Sequence, residues 1–397
     1  MIGAAVVAGS MIFSGVAPGQ TIPAVAFGQH VADIATAAPQ GVTIDAIRLW
    51  DTGTRWNEIE PQQGQYNWAT LDAAVTNAQA AGASDIMYVL GSTPQWAARN
   101  PNLSGLYGEG TTSLPSDPDY YLEFLRQVAK RYKGKITSYQ VWNEANTRSF
   151  YEGDWTALAQ LTKRAHETLQ VVDPQAQLVA ASSTVIPGKL FQTESFFVRY
   201  ARALHELGDP VDAMAVHLYP VDTSKGPDAR VGSIRAAQKV LNKVGIDKPL
   251  WDTEVNYGDR RVGLPQVVPD PQTAATYTAR TFLDSATLGI ARTYWYGWDL
   301  HILGIDMTDD AGITPAGRAF LTVREWLTDS RLAGCSNAEG VRRCHFTGAD
   351  GSPFTVVWAL DAPVDLRTDG LQVCRLDESC TTSDNVTVDT EPVLLKQ

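Results

Sequence analysis

Between residues 24 and 328, eight short β-type runs alternate with longer helical patterns. This alternation constrains the fold more than any other feature of the 397-residue chain. The runs are AVAFGQHV (24–31), AIRLWD (46–51), DIMYVLG (85–91), SYQVWNE (138–144), QLVAASS (177–183), AMAVHLY (213–219), PLWDTEV (249–255) and RTYWYGW (292–298). Strands joined through helices pair in parallel, because the crossover returns the chain to the same end of the sheet. Eight such units predict an α/β fold of the (β/α)8 TIM-barrel type, although strand counting alone leaves an open doubly wound sheet as the rival.

The helical segments carry their own start and stop signals. Ser116-Asp117-Pro118 opens one in which Tyr121, Phe124, Leu125, Val128, Ala129 and Tyr132 fall on one face, and Gly134 follows it. Trp68, Leu71, Val75 and Ala78 make a second stripe before Gly82, and Leu158, Leu161, Ala165 and Leu169 a third before Asp173-Pro174. After ITPAGRAFLTVREWL (313–327) the pattern turns to short alternating strands such as PFTVVWAL and NVTVDT. The expected division is an N-terminal signal-like segment (1–22), a barrel (23–329) and a small β-sandwich-like domain (330–397).

All four cysteines, Cys335, Cys344, Cys374 and Cys380, lie in that last part. Four cysteines allow three pairings; the sequence-adjacent pairs are the simplest, and none has metal-ligand spacing. MIGAAVVAGSMIFSGVAPGQ (1–20) reads as the apolar part of a secretion signal, although no Lys or Arg precedes Arg48. It is broken by Gly, Ser and Pro and is too short to predict a bilayer span. Disulfides and export agree, so a secreted or cell-surface location is expected. The formal net charge of −12 argues against nucleic acid, whose phosphates call for clustered Lys and Arg.

In a barrel of this kind the C-terminal strand ends form the active face. Unusual polar residues collect there: Arg48 and Asp51, Asn143 and Glu144, His217 and Tyr219, Glu254, then Tyr296 and Trp298. Glu144 and Glu254 each end an apolar strand, on strands four and seven, opposite one another in an eight-strand ring. Two convergent carboxylates among aromatic walls suit glycosidic bond cleavage, one carboxyl protonated as donor and the other ionised on the far face of the sugar. Asp51 and Asp252 are the rival carboxylates. Asp252 shares a face with Glu254 by alternation but lies deeper, as a buried structural group.

The WNE, HLY and WDTE signatures, in this order on strands four, six and seven, resemble the retaining glycoside hydrolases of clan A. The run IRLWDTGTRWNEIEPQQGQYNWATLDAAV (47–75), with TPQWAARNP and WNEAN following, looks most like the family 39 type. The resemblance spans most of residues 24–328; Ala145 stands where a proline is usual after the acid/base. It implies Glu144 as general acid/base, Glu254 as nucleophile, Asn143 as donor to the sugar 2-hydroxyl, Tyr219 near the nucleophile and Arg48 as its charge partner.

His217 shares a strand face with Tyr219 and is expected to line the site. Tyr294, Tyr296 and Trp298 alternate onto one face, making Trp298 the expected sugar platform, while Trp295 is expected to pack against helices. His30, Trp56 and Trp96 are candidate cleft residues from neighbouring strand ends. His30 and His217 lack a third ligand in suitable spacing, so no metal and no cofactor are expected. The expected substrate is a polysaccharide or oligosaccharide. A transglycosylase with the same residues and a non-catalytic glycan-binding protein are the alternatives, and sequence does not address oligomeric state.

Overall fold

A computed structural model describes residues 19–185, 195–222 and 224–397. Eight parallel strands form its centre: β1 (Phe27–His30), β2 (Ala46–Leu49), β3 (Asp85–Val89), β4 (Ser138–Gln140), β5 (Gln177–Val179), β6 (Met214–His217), β7 (Leu250–Val255) and β8 (Arg292–Tyr296). Hydrogen-bonded neighbours run β5, β4, β3, β2, β1, β8, β7, β6, and then reach Ser183–Thr184, which is the continuation of β5. Val179 also bridges to Ala213 beside β6. The first and last members of the series therefore belong to one strand, and the sheet is a closed barrel rather than an open one.

Small and large side chains fill the interior. Ala46, Met87, Val179, Ala213, Ala215, Trp251 and Tyr294 pack there. Gly28 is required by that packing, since a Cβ on it would come within 2.4 Å of the Tyr294 ring. The larger core lies between the sheet and the helices α1 (Trp56–Ile59), α2 (Ala69–Ala80), α3 (Pro118–Arg131), α4 (Trp155–Val172), α5 (Phe196–Glu206), α6 (Asp228–Val244), α7 (Pro271–Leu288) and α8 (Pro315–Leu327). The expected start signals operate: Asp117 accepts from the Asp119 amide with Pro118 at the first helical position, and the expected stripe of α3 is buried. β1 departs from the expected pattern, being followed only by the 3-10 turn Ala32–Ala35.

The remaining strands are β9 (Arg331–Ala338), β10 (Val341–Thr347), β11 (Pro353–Ala359), β12 (Val364–Cys374), β13 (Cys380–Val388) and β14 (Val393–Lys396), all antiparallel in the order β9, β10, β11, β14, β12, β13. Cys344, Phe346, Val356 and Trp358 join the barrel core, whereas Val341 and Val357, of opposite parity, pack with Leu366, Val386 and Val388. The sheet thus folds over a core of its own, as a small sandwich does. Cys335 pairs with Cys344 and Cys374 with Cys380, each across adjacent strands.

Residues 19–22 do not stand apart from the fold. Ile22 is buried, its amide donates to the Ser330 carbonyl at 2.8 Å, and Gly19 donates to Leu332 at 3.1 Å. The signal expected over residues 1–20 otherwise falls on 1–18, outside the described residues. Among the described residues no helix is long and apolar enough to cross a membrane.

Candidate active site

Arg48 organises the floor of the barrel mouth. Facing inward from β2 with no exposed surface, it must find a partner for each donor. Nη1 donates to Glu254 Oε2 at 2.9 Å, Nη2 to Asn143 Oδ1 at 2.7 Å and Nε to Gln140 Oε1 at 3.0 Å. Gln140 passes the network on by donating to Thr253 Oγ1 at 3.1 Å. The bond to Arg48 fixes the Asn143 amide with its oxygen inward. Its Nδ2 makes no protein hydrogen bond among the described residues, and Asn143 lines the cleft.

Glu254 reaches this network through an irregularity in β7. Asp252 pairs with Val216 and Glu254 with His217, so β7 holds one residue more than β6 over the same length. Such a bulge re-aims the side chains beyond it. Trp251 points into the barrel, and Thr253 and Glu254 both join the inner network. Asp252 does not share the face of Glu254, as alternation alone predicts. It turns to the helix layer, where it accepts from Arg230 of α6 at 2.9 and 2.6 Å and from the Leu218 amide at 3.0 Å. Its structural role is as expected.

Tyr219 donates to Glu254 Oε1 at 2.7 Å, so both oxygens of this carboxylate are engaged. Burial pushes the Glu254 carboxyl up, and the Arg48 guanidinium and the Tyr219 hydroxyl act against that by favouring its charged form.

Glu144 follows the end of β4 in the left-handed region, with φ 40°. A non-glycine residue there costs roughly 1–3 kcal/mol and needs its surroundings to hold it. The hold comes from β5: the Glu144 amide donates to Ser182 Oγ and the Ala145 amide to the Ser182 carbonyl, both at 2.9 Å. Asn146 adds a reciprocal pair with the Thr184 backbone, at 2.8 and 2.9 Å. Burial raises the Glu144 carboxyl to about 7.

His217 lies beneath both glutamates. Its Nδ1 is 3.0 Å from Glu144 Oε1 and 3.6 Å from Glu254 Oε2. Burial lowers its pKa to about 3, so the ring is neutral and shares one proton with a protonated or ionised Glu144. Ligand atoms of Glu144, His217 and Glu254 all lie within 4.8 Å of one another, which would also suit a cation. The Arg48 and Tyr219 bonds to Glu254 supply the positive charge and donors that such an ion would otherwise bring.

The cleft above has a volume of about 680 Å3 and is lined by Trp50, Asp51, Tyr107, Asn143, Glu144, Phe150, Tyr219, Glu254 and Tyr296 among others. Tyr296 is there as expected; its hydroxyl donates to Asp51 Oδ2 at 3.0 Å, while Tyr107 and Arg55 donate to Oδ1 at 2.5 and 2.9 Å. Asp51 is therefore an anchor for the wall rather than a partner of either glutamate.

Four expected cleft residues lie elsewhere. Trp298 follows the end of β8, where strict alternation no longer applies, and it packs edge-on against Phe320 of α8 at 6.3 Å. Trp56 stacks on Phe124 at 5.3 Å with its indole donating to Glu60, inside the helix layer. Trp96 meets Trp56 and Tyr120 edge-on in the same layer. His30 is buried below Tyr296, 4.6 Å between ring centroids, with Nε2 donating to the Trp50 carbonyl. Trp295 packs on Phe282 and Tyr257, as expected. The aromatic walls are instead Trp50, Tyr107 and Phe150, from loops after β2, β3 and β4. The one sequence signal for them was the position of Trp50 directly after an apolar strand.

The family whose model matches the sequence is glycosyl hydrolase family 10, over residues 49–246, a span that includes Glu144 and stops short of Glu254. That span is just under half of the chain, and it makes the chain similar to the clan A glycoside hydrolases. Among curated relatives, Endo-1,4-beta-xylanase 2 of Arabidopsis thaliana is 25% identical over 293 residues, covering 69% of this chain and 24% of that protein. Beta-galactosidase BbgII of Bifidobacterium bifidum is 26% identical over 159 residues, covering 36% and 22% respectively. The chain thus spans about a quarter of the length of these relatives. A family 39 glycoside hydrolase from Bacteroides cellulosilyticus superposes with a TM-score of 0.70 at 17% identity, covering 94% of this chain and 81% of that one. The catalytic domain of GH30 xylanase C from Talaromyces cellulolyticus gives 0.63 at 16% identity, covering 96% and 98%. At such identities the likeness is one of fold.

Proposed function

We propose that this chain is a retaining glycosidase acting on O-glycosidic bonds of an oligosaccharide or polysaccharide by double displacement, with Glu144 as acid/base and Glu254 as nucleophile. The observation that carries the reading is the separation of the two carboxylates, which approach within 4.8 Å. Retaining enzymes hold their carboxyl groups about 5–5.5 Å apart, whereas inverting ones need about 6.5–9.5 Å to admit a water.

In the first step Glu254 forms a bond to the anomeric carbon as the glycosidic C–O bond breaks, and Glu144 gives its proton to the departing oxygen. In the second, Glu144, now a carboxylate, takes a proton from water. The water oxygen bonds to the anomeric carbon and releases Glu254. Two inversions leave the configuration unchanged. Arg48 and Tyr219 keep Glu254 ionised and aimed. Asn143, fixed by Arg48, offers Nδ2 to the sugar 2-hydroxyl. The pairing of burial with a neutral His217 keeps Glu144 protonated near neutral pH. We also propose a secreted or cell-surface location, supported by the two disulfides.

The test is hydrolysis of a panel of aryl glycosides and polysaccharides by the wild type, Glu144→Gln and Glu254→Gln, with the product anomer followed by NMR. Loss in both variants with initial retention supports the mechanism. Full activity in either variant removes that glutamate, and transfer to sugar acceptors in preference to water supports transglycosylation. Binding without turnover by the wild type leaves a glycan-binding protein.

A further inference from the structure

Six of the seven large apolar side chains exposed among the described residues stand on loops that follow β3, β6, β7 and β8, at the active face; the seventh, Val171, is on α4. Apolar side chains exposed together in a cleft, unlike those scattered singly, mark a ligand or interaction surface. Two of them, Leu106 at 64% and Ile302 at 39% exposure, line the catalytic cleft itself, where Leu300, Leu303, Pro220 and Phe150 join them.

This apolar lining lies apart from the polar floor. Arg48, Asn143, Glu144, Glu254 and Tyr219 sit at the strand ends and bind one another, so the sugar ring whose anomeric carbon reacts must descend to them. Whatever the substrate carries beyond the scissile bond then lies toward the loops. A sugar leaving group asks for hydrogen-bonding side chains and flat aromatic platforms. Trp50, Tyr107, Asp259 and Arg261 in the same cleft can serve a sugar there, whereas the branched aliphatic side chains beside them offer neither and gain free energy only by burying apolar surface.

We propose that the cleft takes glycosides with an apolar aglycone, an alkyl or isoprenoid chain, as a substrate class alongside oligosaccharides, with Leu106 and Ile302 as its specificity-determining contacts. This rests on the glycosidase reading above. The occupant is part of the substrate because the apolar residues are continuous with the cleft that holds both glutamates.

The experiment measures kcat/KM of the purified full chain on methyl, butyl, hexyl and octyl β-glycosides of xylose, glucose and galactose, beside the p-nitrophenyl glycoside and a disaccharide of each sugar. The expected result is a rise of about two- to fourfold per methylene across the alkyl series, as each CH2 is buried. Leu106→Ser and Ile302→Ser, at exposed positions where folding is not at stake, should each flatten that rise. Their loss on the octyl glycoside should exceed the loss on the methyl glycoside at least threefold, whereas Val171→Ser should leave the series as in the wild type. Hydrolysis of the p-nitrophenyl glycoside and disaccharide with no dependence on alkyl length overturns the inference and leaves the glycosidase standing. Retention of the full rise in the double variant overturns the assignment of these contacts. No turnover of any compound removes the glycosidase reading and this inference with it.

Discussion

Arg48 and Glu254 are 206 positions apart in the chain, yet the guanidinium of one donates to the carboxylate of the other at 2.9 Å across the barrel interior. Arg48 has no exposed surface and Glu254 only 7%, so each depends on the other to balance its charge. Arg48→Ala should cost about 3–5 kcal/mol of stability, the usual penalty for leaving a buried charge alone. It should also depress kcat, since Glu254 and Asn143 both lose their alignment. Urea denaturation monitored by tryptophan fluorescence checks the first, and kinetics on an aryl glycoside the second. Arg48→Lys, which keeps the charge but cannot serve three acceptors at once, should recover part of the stability and little of the rate.

Glu144→Gln should depend on the leaving group. For a glycoside whose leaving oxygen needs protonation, kcat should fall about 10^2–10^4-fold, the usual contribution of a positioned acid. For dinitrophenyl glycosides, whose phenolate leaves unaided, glycosylation should be nearly normal and the covalent intermediate on Glu254 should accumulate, visible by mass spectrometry. Equal losses on both substrates would remove the acid role.

The raised Glu144 pKa has a sign for activity and another for stability. The proton donor is present below about 7 and lost above it, so kcat/KM should fall roughly tenfold per pH unit on the alkaline side. Between the ordinary carboxylate range and about 7 the folded protein holds a proton that the unfolded chain releases. This contribution therefore weakens stability as pH rises through that window. The difference in Tm between Glu144→Gln and wild type should accordingly grow in favour of the variant from pH 5 to pH 8, by a few degrees. A constant difference would mean that Glu144 does not titrate there.

Trp298 and Trp50 should separate packing from binding. Trp298→Ala empties a buried site against Phe320 and should cost about 3–5 kcal/mol with KM unchanged. Trp50→Ala removes a cleft wall against Tyr107 and Phe150 and should raise KM about tenfold. Reversal of the two outcomes would restore Trp298 as the platform.

Removing the Cys335–Cys344 bridge by Cys335→Ser with Cys344→Ser should lower stability by about 2–3 kcal/mol, as expected for closing a short loop. The bridge ties β9 to β10, in the C-terminal sheet and not on the barrel strands that carry the site, so kcat should stay near wild type in the temperature range where the variant is folded. Scanning calorimetry and kinetics on the same preparation decide both.

Much of the site was legible because its residues obey local rules. Arg48 and His217 sit on strands whose alternation assigns their face, and Tyr219, Asn143 and Glu144 follow strand ends within a few residues. Other placements broke those rules. The extra residue in β7 turned Asp252 to the helices, and no single-strand pattern announces a bulge that exists only relative to β6. β8 ended two residues earlier than its apolar run, which released Trp298 into the core. Trp56 opens α1 and Trp96 lies on the loop after β3, and together they pack against Tyr120, Tyr121 and Phe124 of α3 rather than facing the cleft.

Local rules set the order of strands and helices, the caps that start the helices and the two glutamates at or just beyond apolar strands. Those are local matters of periodicity, turn chemistry and propensity. Only the tertiary structure decided that the sheet closes, because closure lies in β5 pairing with β4 at one end and with β6 at the other. It alone decided which aromatics form the cleft, since Trp50, Tyr107 and Phe150 come from three loops brought together by the barrel's curvature. And it alone decided the ionisation of Glu144, because a pKa depends on burial and neighbours, neither of which a residue carries along the chain.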